Sequence, residues 1–186
     1  MTVRLLEEHV VNQIAAGEVI ERPASVVKEL VENSLDAGAQ TLEVLLVDGG
    51  KQRIRVRDDG DGMLEQDAMM ALERHATSKI RWAEDLTKVG TLGFRGEALP
   101  SIAAVSRFQL LTRAADDEVG HRVRVEGGTL TDVRKVGSPV GTEIDVRSLF
   151  FNVPARRKFL RTRATELSHC METLHRVALM RPDVTV

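Results

Sequence analysis

A chain of 186 residues, 42 % apolar and 29 % charged, is long enough for one domain with a sizeable core and short for two. Its net charge of −2 excludes a protein that binds nucleic acid through its overall charge, so any such contact has to come from a local patch. The single cysteine excludes an internal disulfide and a cysteine-rich metal site. No apolar run approaches the ~18 residues of a membrane span, and we expect a soluble intracellular protein.

The first part of the chain is predicted to be helical. A short helix is expected over residues 7–16, and a longer one begins at Pro23 and continues to Leu35, because proline favours the first helical turn. Val27, Leu30 and Val31 lie on one side of this second helix. That side is predicted to face the core.

Glu29 and Asn33 lie one turn apart on the polar side of the same helix, where no base is expected because Lys28 points to one side. An ordinary solvated face is one interpretation. A solvated helix usually carries basic as well as acidic residues on its polar face, because they form ion pairs one turn apart. A stripe with acids and an amide but no base also suits a cation and a water molecule. Asn33 can offer an oxygen to Mg²⁺, and Glu29 can accept a proton from a water that attacks a terminal phosphate.

Further elements follow from apolar periodicity. Strands are predicted at 42–47, 53–57, 107–113, 121–126, 129–136 and 142–148, and helices at 65–74, from Glu97 and at 164–180. This order predicts an α+β fold, a two-layer sandwich with helices on one face of a mostly antiparallel mixed sheet. The last helix is predicted to bury Leu167, Cys170, Met171, Leu174, Val177 and Ala178. Residues 183–186 resemble the start of a strand without a partner, which suggests a piece of a longer protein.

The loop at 58–62, DDGDG, follows a predicted strand. A simple turn is one interpretation, because aspartate and glycine are common turn formers. In the functional interpretation Asp58 accepts from the exocyclic amine of adenine, while Gly60 and Gly62 allow a flat ring to approach the backbone. A calcium loop is a rival, but the spacing lacks its twelve-residue frame. Thr142 can reach the base through its hydroxyl, although such a threonine is usually only a strand residue.

A second glycine-rich segment, Gly90 to Leu99, leads into a predicted helix, where free N–H groups can bind phosphate. Its spacing matches neither the P-loop nor the dinucleotide fingerprint, and a flexible surface loop is the alternative. Upstream, the stretch RHATSK at 74–79 offers hydroxyls and an ammonium group. The irregular span 75–96 is therefore predicted to be a lid over a nucleotide.

The motifs and their order resemble the GHKL ATPase superfamily. They are E-x-x-x-N on a helix, then D-x-G-x-G, then G-x-x-G-x-x-G and finally G-T. Longer stretches are similar to the signatures of the MutL family of DNA mismatch-repair proteins, and the resemblance covers essentially the whole chain. These stretches are NQIAAGEV at 12–19, RPAS at 22–25, ELVENSLDAGA at 29–39, RHATSK at 74–79, LGFRGEAL at 92–99 and FNVPARRKFL at 151–160. The resemblance implies the Bergerat ATP-binding fold, with ATP and Mg²⁺ as cofactors.

The resemblance also implies a role for each matching residue. Glu29 activates the attacking water, Asn33 holds Mg²⁺, and Asp58 binds adenine. The other residues implied in nucleotide binding are Ala37, Gly60, Gly62, Met63, Thr77, Ser78, Lys79, Gly93, Phe94, Arg95, Gly96, Glu97, Ala98, Leu99 and Thr142.

At the level of the whole protein, the resemblance implies an N-terminal arm over residues 1–20, with Leu5 and Leu6 as apolar contacts, and a nucleotide-binding domain over 21–186. ATP would order the lid and the arm, and two copies would then dimerise as a clamp. The implied partners are a second copy, mismatch-recognition and other repair proteins, and DNA without base specificity, but no membrane. The implied location is the bacterial cytosol near the nucleoid, or a eukaryotic nucleus.

Two features leave alternatives open. In the resembled family a second subdomain supplies a lysine to the γ-phosphate and a C-terminal region dimerises, and both lie beyond residue 186. A nucleotide-operated dimerisation switch with little hydrolysis is therefore the alternative function. The basic run Arg156–Lys158, with Arg161 and Arg163, could contact DNA phosphate. Its neighbours Phe159 and Leu160 favour a solvated or intramolecular role instead.

Overall fold

A computed structural model describes residues 16, 17, 19–74, 76 and 96–186. The helices and strands are α1 Pro23–Asp36, β1 Leu42–Val47, β2 Arg53–Asp58, α2 Glu65–Met70, α3 Ala98–Ala104, β3 Arg107–Arg113, β4 Gly120–Glu126, β5 Thr129–Val136, β6 Gly141–Arg147, α4 Pro154–Phe159 and α5 Arg163–Met180. A 3₁₀ turn, Asp48–Gly50, joins β1 to β2. Every predicted strand is present within a residue of its expected bounds. The helix predicted over 7–16 lies almost entirely outside the described residues.

The strands form a six-stranded sheet in the order β1-β2-β6-β3-β4-β5, in which all neighbours are antiparallel. The last of these strands, β6, therefore lies in the middle of the sheet, between the β1–β2 hairpin and the β3–β4–β5 meander. On β2, Ile54 and Val56 are buried against the helices, while the three arginines of the strand face the other way, as their alternation predicts. The predicted α+β architecture is confirmed.

Helix α1 begins with Pro23 in its first turn and lays Val27, Leu30 and Val31 into the core. Complete burial of each such side chain contributes about 1.5–3 kcal/mol to folding. This burial fixes the rotation of the helix about its axis. Glu29 and Asn33, on the opposite side, are consequently held half-exposed.

Helix α5 packs against α1 and the 3₁₀ turn, but its buried stripe differs from the prediction. Met171 and Ala178 are exposed, whereas Glu166 is almost completely buried and accepts the Arg161 N–H at 2.8 Å. The 3₁₀ turn explains the shift, because Gly49 brings its backbone against the first turns of α5. Burial, with a smaller effect of Glu166, raises the pKa of Cys170 on this stripe to about 11.

The expectation that residues 183–186 lack a strand partner is wrong. Thr185 forms a parallel bridge with Thr41: the Leu42 N–H donates to the Thr185 carbonyl at 2.8 Å, and the Thr185 N–H donates to the Gln40 carbonyl at 2.9 Å. Val184 is buried beside this bridge. The C-terminal residues therefore pair with the residue that directly precedes β1, at the edge of the sheet.

Helix α4 has no counterpart among the predicted elements, because none of its side chains is buried and it has no apolar periodicity. Pro154 in its first turn is its one local signal. None of the described helices is long and apolar enough to cross a membrane.

Candidate functional site

The polar face of α1 carries a base, contrary to the sequence prediction. The Lys28 ammonium lies 2.8 Å from Glu32 Oε2 and 3.4 Å from Glu29 Oε1. Although burial lowers the pKa of Lys28, the hydrogen bonds and charges of Glu32 and Glu29 raise it overall. The long lysine side chain bends back to the acidic stripe, and its shorter contact is with Glu32, one turn further on. The stripe is an ion-pair network rather than a bare row of acids.

Asp58, at the end of β2, is buried where four segments of the chain meet. Its Oδ1 accepts the backbone N–H groups of Gly60 and Thr142, both at 3.1 Å, and its Oδ2 lies 2.6 Å from the Ser34 hydroxyl. Burial raises the pKa of Asp58, and these three hydrogen bonds offset the rise only partly. Both lone pairs of Oδ1 are thus used, and Oδ2 keeps one for a further donor.

Thr112, on β3, connects Met63 and Thr142, two further residues that were predicted to bind the base. Its Oγ1 donates to the Gly141 carbonyl at 3.1 Å, accepts the Met63 N–H at 2.9 Å and lies 2.9 Å from the Thr142 hydroxyl. Thr112 itself is completely buried. One hydroxyl therefore holds the backbone of Met63 and Gly141 and the side chain of Thr142 relative to one another.

Ser34 and Thr112 are absent from the predicted site, yet both leave a signal in the sequence. Ser34 falls on the buried side of α1. Thr112 follows Phe108 and Leu110 in the buried register of β3. A polar side chain in an apolar register needs a buried hydrogen-bond partner. This rule could have predicted that Ser34 and Thr112 each bond to a buried polar group. It could not have identified Asp58 as the partner of Ser34.

The two glycines of the DDGDG loop are required by the protein's own backbone. A Cβ at Gly60 would lie 2.7 Å from the Ala37 carbonyl oxygen, which also accepts the Asp61 N–H at 2.9 Å. Gly62 has a φ of +67°, and a Cβ there would collide with the Arg113 carbonyl. The loop is clamped between the end of α1 and the end of β3. The carbonyl group of Ala37 therefore helps to position the loop.

The predicted phosphate loops are described only at their ends. Thr77, Ser78, Lys79, Gly93, Phe94 and Arg95 lie outside the described residues. Gly96, with a φ of +63°, packs on Ala76 so closely that a Cβ would collide with the Ala76 carbonyl. Glu97 precedes α3, which begins at Ala98, and Leu99 is half-buried against the core. The structure thus brings the ends of the two predicted phosphate motifs into contact at the start of a helix.

Arg156, in the basic run, has an intramolecular role, as the residues around it favour. Its guanidinium donates to the carbonyls of Gly17 at 2.7 Å and Ile20 at 3.1 Å. Ala16 and Ile20 are completely buried in the core. The end of the predicted N-terminal arm is therefore fixed to α4, whereas Leu5 and Leu6 lie outside the described residues. Phe159 of the same run is exposed.

Comparison with known proteins identifies the family. The model of the histidine kinase-, DNA gyrase B- and HSP90-like ATPases matches residues 20–134. The DNA mismatch repair protein MutL of Anaeromyxobacter sp. (strain K) is 59 % identical over 182 residues, which are 98 % of this chain and 30 % of that protein. The MutL of Syntrophotalea carbinolica is 61 % identical over 182 residues, 98 % of this chain and 29 % of its own length.

Two solved structures share the fold. The Aquifex aeolicus MutL ATPase domain complexed with ADP is 43 % identical, with a TM-score of 0.70 over 89 % of this chain and 58 % of that one. The N-terminal domain of a DNA repair protein is 30 % identical, with a TM-score of 0.78 over 94 % of this chain and 50 % of that one. The chain spans about 30 % of the length of the MutL proteins it matches. It belongs to the histidine kinase-, DNA gyrase B- and HSP90-like ATPase family, as an ATPase domain of the MutL type.

Proposed function

We propose that this chain binds ATP with Mg²⁺ and, as part of a DNA mismatch-repair protein, hydrolyses it. The observation that supports this most directly is the cradle of Asp58, a buried carboxylate with three donors and one free lone pair. Burying an acid with its pKa raised disfavours the folded state at neutral pH. A carboxylate held in this way is better explained by a ligand than by stability.

The cradle suits adenine in particular. The exocyclic amine of adenine is a donor and can form a hydrogen bond to the remaining lone pair of the Asp58 carboxylate. Guanine has a carbonyl oxygen at the corresponding position, which the carboxylate would repel. Discrimination against such a mismatched group is strong when buried polar atoms are left without partners. The proposed nucleotide is therefore ATP rather than GTP.

The residues of α1 fit Mg²⁺ as the metal. Asn33 supplies a half-exposed amide oxygen next to Ser34, which itself contacts Asp58. Among the described residues, no group of three or more histidine, cysteine, aspartate or glutamate side chains is arranged around a metal position. This agrees with Mg²⁺, which is often held by one or two protein oxygens and completed by phosphates and water. When bound, the metal would neutralise charge on the phosphates.

Glu29 is the proposed general base. It is half-exposed on the same face as Asn33, and Lys28 contacts only its Oε1. The second carboxylate oxygen can accept a proton from a water that attacks the terminal phosphate. General-base help of this kind contributes about 10²–10⁴ in rate. The shorter contact of Lys28 is with Glu32, at 2.8 Å.

For the whole protein we propose that ATP orders the segment 77–95 and the N-terminal arm, and that two copies then dimerise as a clamp with other repair proteins and DNA. The contact between Ala76 and Gly96 supports a single closing unit. A dimerisation switch with little hydrolysis is the second candidate, because the same contact supports closure and does not by itself require hydrolysis. Light scattering with a non-hydrolysable ATP analogue tests it, and a strict monomer at saturation would contradict it.

Calorimetric titration with ATP, ADP and GTP, each with and without Mg²⁺, tests the proposed function. We expect ATP and ADP to bind, Mg²⁺ to tighten ATP more than ADP, and GTP to bind at least tenfold more weakly, about 1.4 kcal/mol. Equal binding of ATP and GTP would remove Asp58 as the base-reading residue. An absence of any nucleotide binding would contradict the proposal as a whole.

A further inference from the structure

The segment that follows β6, residues 148–156, contributes no residue to the proposed nucleotide site, although it contains the start of the signature stretch at 151–160. Its backbone is strained. Of the three described non-glycine residues with a positive φ, two lie here, Ser148 at +53° and Phe150 at +60°. Phe150 is completely buried, and a bulky side chain rarely adopts this conformation. Such strain is concentrated in functional and switch regions, where the surrounding contacts enforce it. We call residues 148–156 the linking segment.

One part of the linking segment holds the end of helix α3. The Phe150 N–H donates to the Val105 carbonyl at 2.7 Å, and the Asn152 side-chain amide donates to the Ala104 carbonyl at 2.9 Å. The last carbonyls of a helix have no partner within the helix, so the linking segment supplies these donors. Asn152 Oδ1 is buried without a hydrogen-bond partner among the described residues, which leaves the bond to Ala104 to orient this side chain. Because α3 has only seven residues and begins at Ala98, a predicted nucleotide-binding residue, a shift of its start should reach both bonds.

The other part of the linking segment holds the last turn of the predicted N-terminal arm. Arg156 Nη1 donates to the carbonyls of Gly17 at 2.7 Å and Ile20 at 3.1 Å. The Ile20 N–H donates to the Ala16 carbonyl at 2.8 Å, which closes a helical turn at the end of the arm. A cationic donor at the C-terminal end of a turn satisfies its free carbonyls and its dipole. The turn that Arg156 holds leads directly into α1, which begins at Pro23.

The backbone between these two parts is bonded to itself. The Phe151 N–H donates to the Ser148 carbonyl at 3.0 Å, and the Val153 N–H donates to the Phe150 carbonyl at 3.1 Å. The Arg157 N–H then donates to the Val153 carbonyl at 3.2 Å. These bonds overlap along the chain, so a displacement of one part of the linking segment should be passed to the other.

We propose that Asn152 and Arg156 are positioning residues that couple nucleotide binding at the start of α3 to the last turn of the N-terminal arm. The inference rests on the proposed function, because it takes the nucleotide as the ligand that displaces α3. Energetic coupling between two sites can be carried by hydrogen-bonded networks and rigid elements. Here the connection runs from α3 through Asn152 and the linking segment to Arg156, and from there to the carbonyls of Gly17 and Ile20.

Hydrogen–deuterium exchange with and without a non-hydrolysable ATP analogue and Mg²⁺ tests the proposal, read at the Ile20 N–H. In the wild type, the analogue should slow this exchange by about 5-fold or more, the lower end of ordinary coupling between sites. Arg156→Gln should speed the exchange without nucleotide and abolish the slowing by the analogue. Because coupling is reciprocal, the Kd of the analogue should rise in this variant by up to the factor of the slowing in the wild type.

Three further variants separate coupling from a role in folding. Arg157→Gln removes the same charge at the neighbouring exposed position and should behave as the wild type. Arg156→Lys keeps a cationic donor and should recover part of the response. Asn152→Ala removes a bond to α3 but leaves both bonds of Arg156, so exchange without nucleotide should stay near that of the wild type while the response to the analogue falls. Circular dichroism melting checks that each variant is folded.

A response reduced in Arg156→Gln and in Asn152→Ala, but not in Arg157→Gln, supports the proposal. Faster exchange by the same factor with and without the analogue in Arg156→Gln, at an unchanged Kd, would show a structural role only and overturn it. An unchanged response in Asn152→Ala would overturn it as well, because the arm would then be ordered by another route. A wild type that binds the analogue without slower exchange at Ile20 would contradict this inference alone. A wild type that binds no analogue would contradict the proposed function and the inference with it.

Discussion

The Ser34 hydroxyl lies 2.6 Å from Asp58 Oδ2 and joins the helix of Glu29 and Asn33 to the strand end that forms the proposed adenine pocket. Ser34 also lies 3.1 Å from the Leu30 carbonyl, its neighbour one turn earlier. The two halves of the proposed site, one for base recognition and one for phosphate chemistry, are therefore connected through one buried hydroxyl. Changes at Asp58 and at Glu29 should nevertheless separate them.

Asp58→Asn should preserve the fold and weaken nucleotide binding. An asparagine can keep the Gly60 and Thr142 N–H bonds at Oδ1 and donate its amide to Ser34, which then donates to Leu30. It would also remove the buried acid, so we expect equal or greater stability in urea at pH 7. The adenine amine would face a donor, which costs about 1–3 kcal/mol, or about 5- to 150-fold in Kd. Calorimetry with ATP measures this, and unchanged affinity would contradict adenine recognition by Asp58.

Thr112→Val should weaken the pocket through the backbone that Thr112 holds. The substitution keeps the shape but removes the partner of the Met63 N–H and of the Gly141 carbonyl. Buried groups left without partners cost about 1–3 kcal/mol each. Urea unfolding should therefore show lower stability, and ATP titration a higher Kd. Thr112→Ser is the control, because it keeps the hydroxyl and loses only a methyl group, about 0.8 kcal/mol. Equal effects of the two variants would point to packing instead.

The sequence was sufficient for local elements and insufficient for long-range pairing. The periodicity of α1 and the alternation of β2 follow from which side is apolar, so their bounds and faces could be predicted. The contact between Ser34 and Asp58, 24 residues apart, depends on how α1 packs over β2. Likewise, Thr185 meets Thr41 only because the chain returns to the sheet edge after α5.

Within the proposed site, candidate residues were easier to select from the sequence than their contacts were to predict. Asp58 was identified from its position at a strand end, whereas the reach of Lys28 to Glu29 and Glu32 depends on side-chain rotamers that no spacing specifies. Glu166 was missed for a related reason, because a buried acid contradicts the apolar stripe and is explained only by its bond to the Arg161 N–H. Burial of polar groups is therefore the feature that sequence patterns convey least.

Glu29→Gln should separate binding from turnover. The glutamine is isosteric and keeps a contact with Lys28, so ATP binding should change little. Loss of the general base should reduce the ATPase rate of the longer protein by about 10²–10⁴-fold. Glu32→Gln is the matched control, because Glu32 lies on the same helix and binds the same lysine at 2.8 Å. Phosphate-release assays under saturating ATP measure the rate. Equal losses of ATPase rate in the two variants would mean that the effect comes from the ion pairs of Lys28 and not from the loss of a general base.

The stability that Asp145 provides should disappear in acid. Burial by itself raises the pKa of Asp145, but hydrogen bonds and charge from Arg53 and Arg147 outweigh it and hold the pKa below its usual value of 3.8. A group whose pKa is lower in the folded than in the unfolded protein stabilises the fold above the unfolded pKa, and the effect is lost as pH falls through the folded pKa. Wild type should therefore be more stable than Asp145→Asn at pH 6, by roughly 1.5–3 kcal/mol for hydrogen bonds to a charged group. The difference should narrow below about pH 4, near the ordinary pKa of an aspartate. Urea unfolding from pH 3 to pH 7 measures it, with the exposed Asp116→Asn as a control that should show no such narrowing. A constant difference between wild type and Asp145→Asn across this range would mean that Asp145 acts through packing rather than through its charge.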